Sequence, residues 1–128
     1  MMALANLLSH PTLGNATMSG SGLLRSAKDL GRVLGIVRLS PRDQLPTWVT
    51  LWETAIREHF PRSGEALVVQ LGKGLDAIVA DKTALRQARE ILGTGLLQRT
   101  PPTLNELEVW RDELHFEVIE PLRARFGL

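Results

Sequence analysis

Apolar residues recur along this chain at the spacing of helices rather than of strands. From Leu23 to Val37, steps of 100° per residue gather Leu23, Ala27, Leu30, Val33, Leu34 and Val37 into one stripe and leave Arg25, Lys28 and Arg32 opposite. An amphipathic helix with a basic back is expected there. Thr47 to Phe60 places Trp48, Val49, Trp52, Ala55, Ile56 and Phe60 on one side and Thr50, Glu53, Thr54, Arg57 and Glu58 on the other, with Glu53 and Arg57 at the favourable i,i+4 spacing. Pro61 closes that helix. Between the two, "SPRD" at 40–43 reads as the start of a helix or of a short turn of one, with Ser40 as N-cap, Pro41 at the first helical position and Asp43 as the capping-box acid. Pro46 then restarts the helix at Thr47.

Residues 66–80 admit two readings. As a helix they align Leu67, Val68, Leu71, Leu75, Ile78 and Val79; as a hairpin, "ALVVQL" and "LDAIVA" flank "GKG", which makes the fold α+β. The helix is preferred because its stripe is complete and the strand alternation is not. Gly72 and Gly74 weaken such a helix by up to about 1 kcal/mol each, which implies a close helix crossing or a kink. Asp81 can cap a further helix, Lys82 to Leu92, that buries Ala84, Leu85, Ala88, Ile91 and Leu92 and stops at Gly93. Pro101-Pro102 form a loop. Thr103 and Glu106 open the last helix as a capping box, and it runs to about Glu120, where Pro121 kinks it or starts a short separate turn.

The expectation is therefore all-α: about five helices in a compact bundle over residues 23–128. Ahead of it stands an arm, residues 1–22, with an apolar tip and the Gly/Ser/Thr/Asn-rich linker "HPTLGNATMSGSG". The length of 128 residues suits one domain. No apolar run approaches the roughly 20 residues that span a bilayer, so no membrane helix is expected. The first residues lack the early positive charge and long apolar stretch of a secretory signal. They share the Ser-rich, acid-poor character of a transit peptide, but the regular stripe from Leu23 argues against a leader. The expected setting is the cytoplasm or the interior of a viral particle.

Charge changes this picture only through its distribution. The formal net charge is +1, from 15 basic and 14 acidic side chains. Residues 1–42 nevertheless hold five basic residues against Asp29 alone, and the remainder is acidic on balance. A chain basic in front and acidic behind can meet its own copies head to tail. Arg25, Lys28, Arg32 and Arg38 are candidate contacts for phosphates or an acidic partner, with a solvated helix back as the plainer explanation. No aromatic residue interleaves with them to stack on bases.

Candidate chemistry is sparse. The absence of cysteine removes disulfides, thiolate zinc sites and a thiol nucleophile. "GKG" and "GTG" lack the remainder of any phosphate-loop pattern, and Ser63 lacks the G-x-S-x-G frame. The stretch "DELHFEVIE" at 112–120 concentrates four acids around one histidine. On a helix, however, Glu106, Glu113, Glu117 and Glu120 fall into one stripe and His115 points roughly 160° from Glu113 and Glu117. His115 is then expected to pair with Asp112 at i,i+3, and no second such pair exists for a di-metal site. His59, on the Trp48/Trp52/Ile56 side, is expected in the core or at its boundary.

The last helix carries one further signal. Leu107, Trp110, Leu114 and Val118 form its main stripe, while Val109 and Phe116 make a second apolar edge about half a turn away. Such a helix lies centrally in the bundle or meets another protein. Val109, Phe116, Trp48 and Trp52 are the candidate partner-binding residues. These readings favour a non-enzymatic assembly protein without cofactor or metal, which oligomerises or docks into a larger complex. The alternative is a nucleic-acid-associated accessory factor.

Overall fold

The computed structural model describes the backbone of residues 25–79 and 82–128 and the side chains of 27–72 and 83–128. The expected arm, residues 1–22, and the Asp81 cap lie outside the described residues. The described chain is all-α. Helix α1 is Arg25–Leu39, α2 Leu45–His59, α3 Gly64–Val79, and α4 Lys82–Thr94. The fifth rod is continuous but not uniform: α5, Leu104–Leu114, passes through a π-helical turn, His115–Ile119, into α6, Glu120–Arg125. Residues 66–79 are helix, and the hairpin alternative is not adopted.

The core is made by the stripes. Ala27, Leu30, Val33, Leu34 and Val37 of α1 are buried, as are Val49 and Ile56 of α2, Leu67, Val68 and Leu71 of α3, and Ala84, Leu85, Ala88 and Leu92 of α4. Leu107, Trp110, Leu114, Val118, Ile119 and Leu122 complete it from the last rod. No polar or charged side chain is buried among the described residues, so burial of apolar area, about 1.5–3 kcal/mol for each large aliphatic side chain, is the main favourable term. No helix among the described residues is long and apolar enough to cross a membrane.

Helix α1 crosses α4 at close range through small residues. A Cβ on Gly31 would stand 3.4 Å from the Ala88 carbonyl oxygen, and one on Gly35 would stand 2.8 Å from Cδ2 of both Leu92 and Leu96. The backbones approach because Ala27, Gly31 and Gly35 recur every fourth residue on α1 and Ala84 and Ala88 do so on α4. Gly72 is buried against the last rod, where a Cβ would stand 3.7 Å from side-chain atoms of Ile119 and Arg123, an ordinary contact that does not require a glycine.

Four local expectations need correction. Ser40 does not cap the start of α2: its hydroxyl donates to the Ile36 carbonyl at 2.7 Å and finishes α1, because a 3-10 turn, Arg42–Gln44, intervenes. Pro46 then sits inside the first turn of α2, where its missing N–H has no helical partner to lose. Gly93 does not stop α4, which runs to Thr94, and the Leu97 N–H donates to the Leu92 carbonyl at 2.9 Å to close it. The last helix changes register in an unexpected π turn before Pro121, which then stands in the first turn of the short helix α6, the second of its two expected roles. Proline cannot donate to the carbonyl four residues back, and its ring clashes with that carbonyl in an α-helix; the wider preceding turn, bonded from the Glu120 N–H to the His115 carbonyl, moves the obstruction away.

The capping box at Thr103 forms as expected. The Glu106 N–H donates to the Thr103 hydroxyl and the Thr103 N–H donates to the Glu106 carboxylate, both at 3.2 Å. At the other end Gly127, with φ of 72°, takes the left-handed position of a helix stop while the Leu128 N–H donates to the Arg123 carbonyl.

Candidate interaction surfaces

The acidic stretch around His115 is rearranged by the π turn. The His115 Nε2 lies 3.5 Å from Glu120 Oε1, and Arg123 reaches the same oxygen at 3.5 Å. Asp112 is not its partner; Asp112 accepts two hydrogen bonds from the neighbouring Arg111 guanidinium, at 2.8 and 3.0 Å. Glu113 is engaged by Arg42 from the α1–α2 turn. The four acids therefore answer to different partners or to solvent. Among the described residues no three His, Asp or Glu side chains gather closely enough to hold a metal ion.

His59 is exposed, which corrects the expectation of a core or boundary site. It follows the Trp48–Trp52 edge of α2 rather than the Val49–Ile56 centre, and it is the last residue of the helix. Trp48 and Trp52 are half-buried against the core and stack on one another, with ring centroids 5.9 Å apart and planes at 19°. Their rings pack against the α2 side of the core and stay partly open to solvent.

Val109 and Phe116 stand elsewhere. They are 50% and 67% exposed, so the second apolar edge of the last rod faces solvent rather than a neighbouring helix. Phe116 rests edge-on against the His115 ring, with centroids 5.1 Å apart. On the same rod Asp112 and Glu117 are exposed and Glu113 is half-buried, so anionic side chains flank the Val109–Phe116 edge.

A second outward apolar patch was not anticipated. Ile36, Leu39 and Leu96 are 52%, 57% and 57% exposed. Leu96 lies over Gly35, one residue before Ile36 and one helical turn before Leu39, which places the three exposed side chains at the same α1–α4 crossing. The signal was in the sequence. Counting from Lys28, the positions of Arg32, Ile36 and Leu39 fall within about 80° of one another, which places two large aliphatic residues on a face assigned to solvent.

The basic candidates divide. Half-buried Lys28 and exposed Arg32 lie along that face of α1, with Arg32 3.8 Å from half-buried Asp29 in an i,i+3 pair. Such a pair holds its partners loosely. Arg38 turns instead toward the last rod, its guanidinium 6.0 Å from the centre of the Trp110 ring. Arg25 opens α1, and its side chain lies outside the described residues.

The remaining polar cluster is a clamp. Glu53 accepts from Arg57 Nε at 3.0 Å and from Arg125 at 2.8 Å, while Arg57 donates to the Arg125 carbonyl and lies over the Phe126 ring at 4.3 Å. These contacts fasten the chain's end to α2. Hydrogen bonds from Arg125 and then Arg57 hold the Glu53 carboxyl below its ordinary value of 4.5. Beside the clamp an open cleft of about 460 Å³ is lined by Arg57, Phe60, Arg62, Gly64, Glu65 and Phe126.

The chain matches no known protein family, and comparison with curated proteins and with solved structures likewise finds no significant similarity.

Proposed function

We propose that this chain is a non-enzymatic assembly protein, a small helical subunit that oligomerises or docks into a larger complex such as a viral particle or a multi-protein machine. The observation that carries the reading is the outward placement of large apolar side chains, above all Phe116 at 67% exposure, around a core already filled by the other helical stripes. Scattered single apolar residues are ordinary on a protein surface. Here Ile36, Leu39 and Leu96 cluster at one crossing, and Val109 and Phe116 recur on one side of one rod. Clusters of that kind mark interaction sites. The cytoplasm or the interior of a particle suits such a subunit.

The test is the size of the protein in its native extract and after purification. The expected result is a species larger than the 14.2 kDa chain in at least one of the two. A strictly monomeric species in both contradicts the proposal.

Lys28 and Arg32, side by side on the outward face of α1, favour a second reading as an accessory factor that contacts nucleic-acid phosphates. It requires binding that weakens steeply with salt, with a slope reduced when both residues are neutralised. A response flat in salt removes it.

A further inference from the structure

We infer that the occupant of the α1 face is the last rod of a second copy of this chain. The inference rests on the assembly reading above and adds the partner and the two surfaces. One surface joins Ile36, Leu39 and Leu96 to the cations Lys28 and Arg32. The other joins Val109 and Phe116 to the anions Asp112 and Glu117. Each face has an apolar centre of two or three large side chains with a net charge beside it: Lys28 and Arg32 outweigh Asp29 on the first, Asp112 and Glu117 outweigh Arg111 on the second, and the net signs are opposite. Pairing like faces would bring cations to cations or anions to anions, which is repulsive; pairing unlike faces brings apolar to apolar and opposite charges together.

The exposed charges are available for this. The Arg32–Asp29 pair is long at 3.8 Å, and Glu117 has no ion pair among the described residues. Asp112 is held by Arg111 through one oxygen, Oδ1, which leaves the other free to accept. Because two different surfaces meet, every copy in a pair keeps one face unfilled unless the arrangement closes on itself. Closed rings or open chains follow from the rotation between copies.

The experiment uses two full-length variants, Ile36→Asp and Phe116→Asp, studied singly and mixed in equal amounts by sedimentation velocity. Both positions are more than half exposed, so folding should survive, and circular dichroism checks it. Leu39→Asp and Val109→Asp replace either variant that fails to fold. Each variant alone should be monomeric at concentrations where the wild-type chain associates. The mixture should form a one-to-one dimer, because each variant keeps the face the other has lost. The pair Lys28→Glu/Arg32→Glu should weaken association by about tenfold or more, and mixing with an Asp112→Lys/Glu117→Lys chain should recover it.

A variant that keeps wild-type association alone, or a mixture that stays monomeric, overturns the inference. Removal of residues 1–22 should leave association unchanged; its loss would make that segment the occupant instead. A purified wild-type chain that stays monomeric while its native form sits in a larger complex ends the self-association inference and leaves the docking proposal standing.

Discussion

His115 and Glu120 are five residues apart, yet the His115 Nε2 lies 3.5 Å from a carboxylate oxygen of Glu120. On an α-helix that separation turns side chains roughly 140° away from each other. The π turn His115–Ile119 brings them together, and it also buries Val118 and Ile119 side by side. Removing one exposed residue from this turn restores α-helical spacing: with Glu117 deleted, Leu114, Val118, Ile119 and Leu122 fall at i, i+3, i+4 and i+7. Deletion of Glu117 alone should cost about 3 kcal/mol, because Pro121 then meets the carbonyl four residues back. Pro121→Ala in the same chain should recover most of that loss, measured as a non-additive pair by urea unfolding. Equal losses with and without the proline would contradict this account of the turn.

The two glycines of the α1–α4 crossing should respond oppositely. Gly31→Ala has ordinary van der Waals room and should gain up to about 1 kcal/mol from helix propensity. Gly35→Ala puts a methyl 2.8 Å from two leucine methyls, one of them on buried Leu92, and should lose about 1 kcal/mol net despite the same propensity gain. Thermal melts of the two variants decide it.

Thr103→Ala removes the hydroxyl that receives the Glu106 N–H and frees the Glu106 carboxylate from its reciprocal role. A loss of about 1 kcal/mol in unfolding free energy is expected. Asn at the same position should keep most of the stability.

Glu53 sets an acid dependence. Its carboxyl is held below its ordinary value by hydrogen bonds from Arg125 and Arg57, so its contribution to stability is fully present above about pH 4.5 and is lost as the pH falls through the lower folded value. Wild-type unfolding free energy should therefore drop more steeply below pH 4.5 than that of Glu53→Gln. Parallel curves would show that the clamp carries no linked proton.

Much of this fold was legible because helical stripes are a local property. Leu30, Leu34, Val49, Ile56, Leu85, Leu107 and Leu114 were all placed inward by counting alone, and all are buried. The Thr103–Glu106 box was equally readable, since both partners lie within one turn. What was missed depends on departures from a uniform 100° step or on distant partners. The π turn shifts every residue after Leu114, which is why Asp112 seemed the natural partner of His115. The Arg42–Glu113 and Arg125–Glu53 contacts join residues about 70 apart and have no local signature. Ile36 and Leu39 were readable as outward apolar positions, but the basic residues before them drew the face toward a solvated assignment.

The most direct measurement of the central claim is sedimentation velocity of the full wild-type chain across a wide concentration range at low and high salt. The account predicts growth beyond the 14.2 kDa monomer as concentration rises, with part of that association lost in salt as the charges beside Phe116 and Ile36 are screened. A single monomeric boundary at every concentration and both salt levels would contradict self-association and leave docking into a larger complex as the one surviving form of the assembly reading.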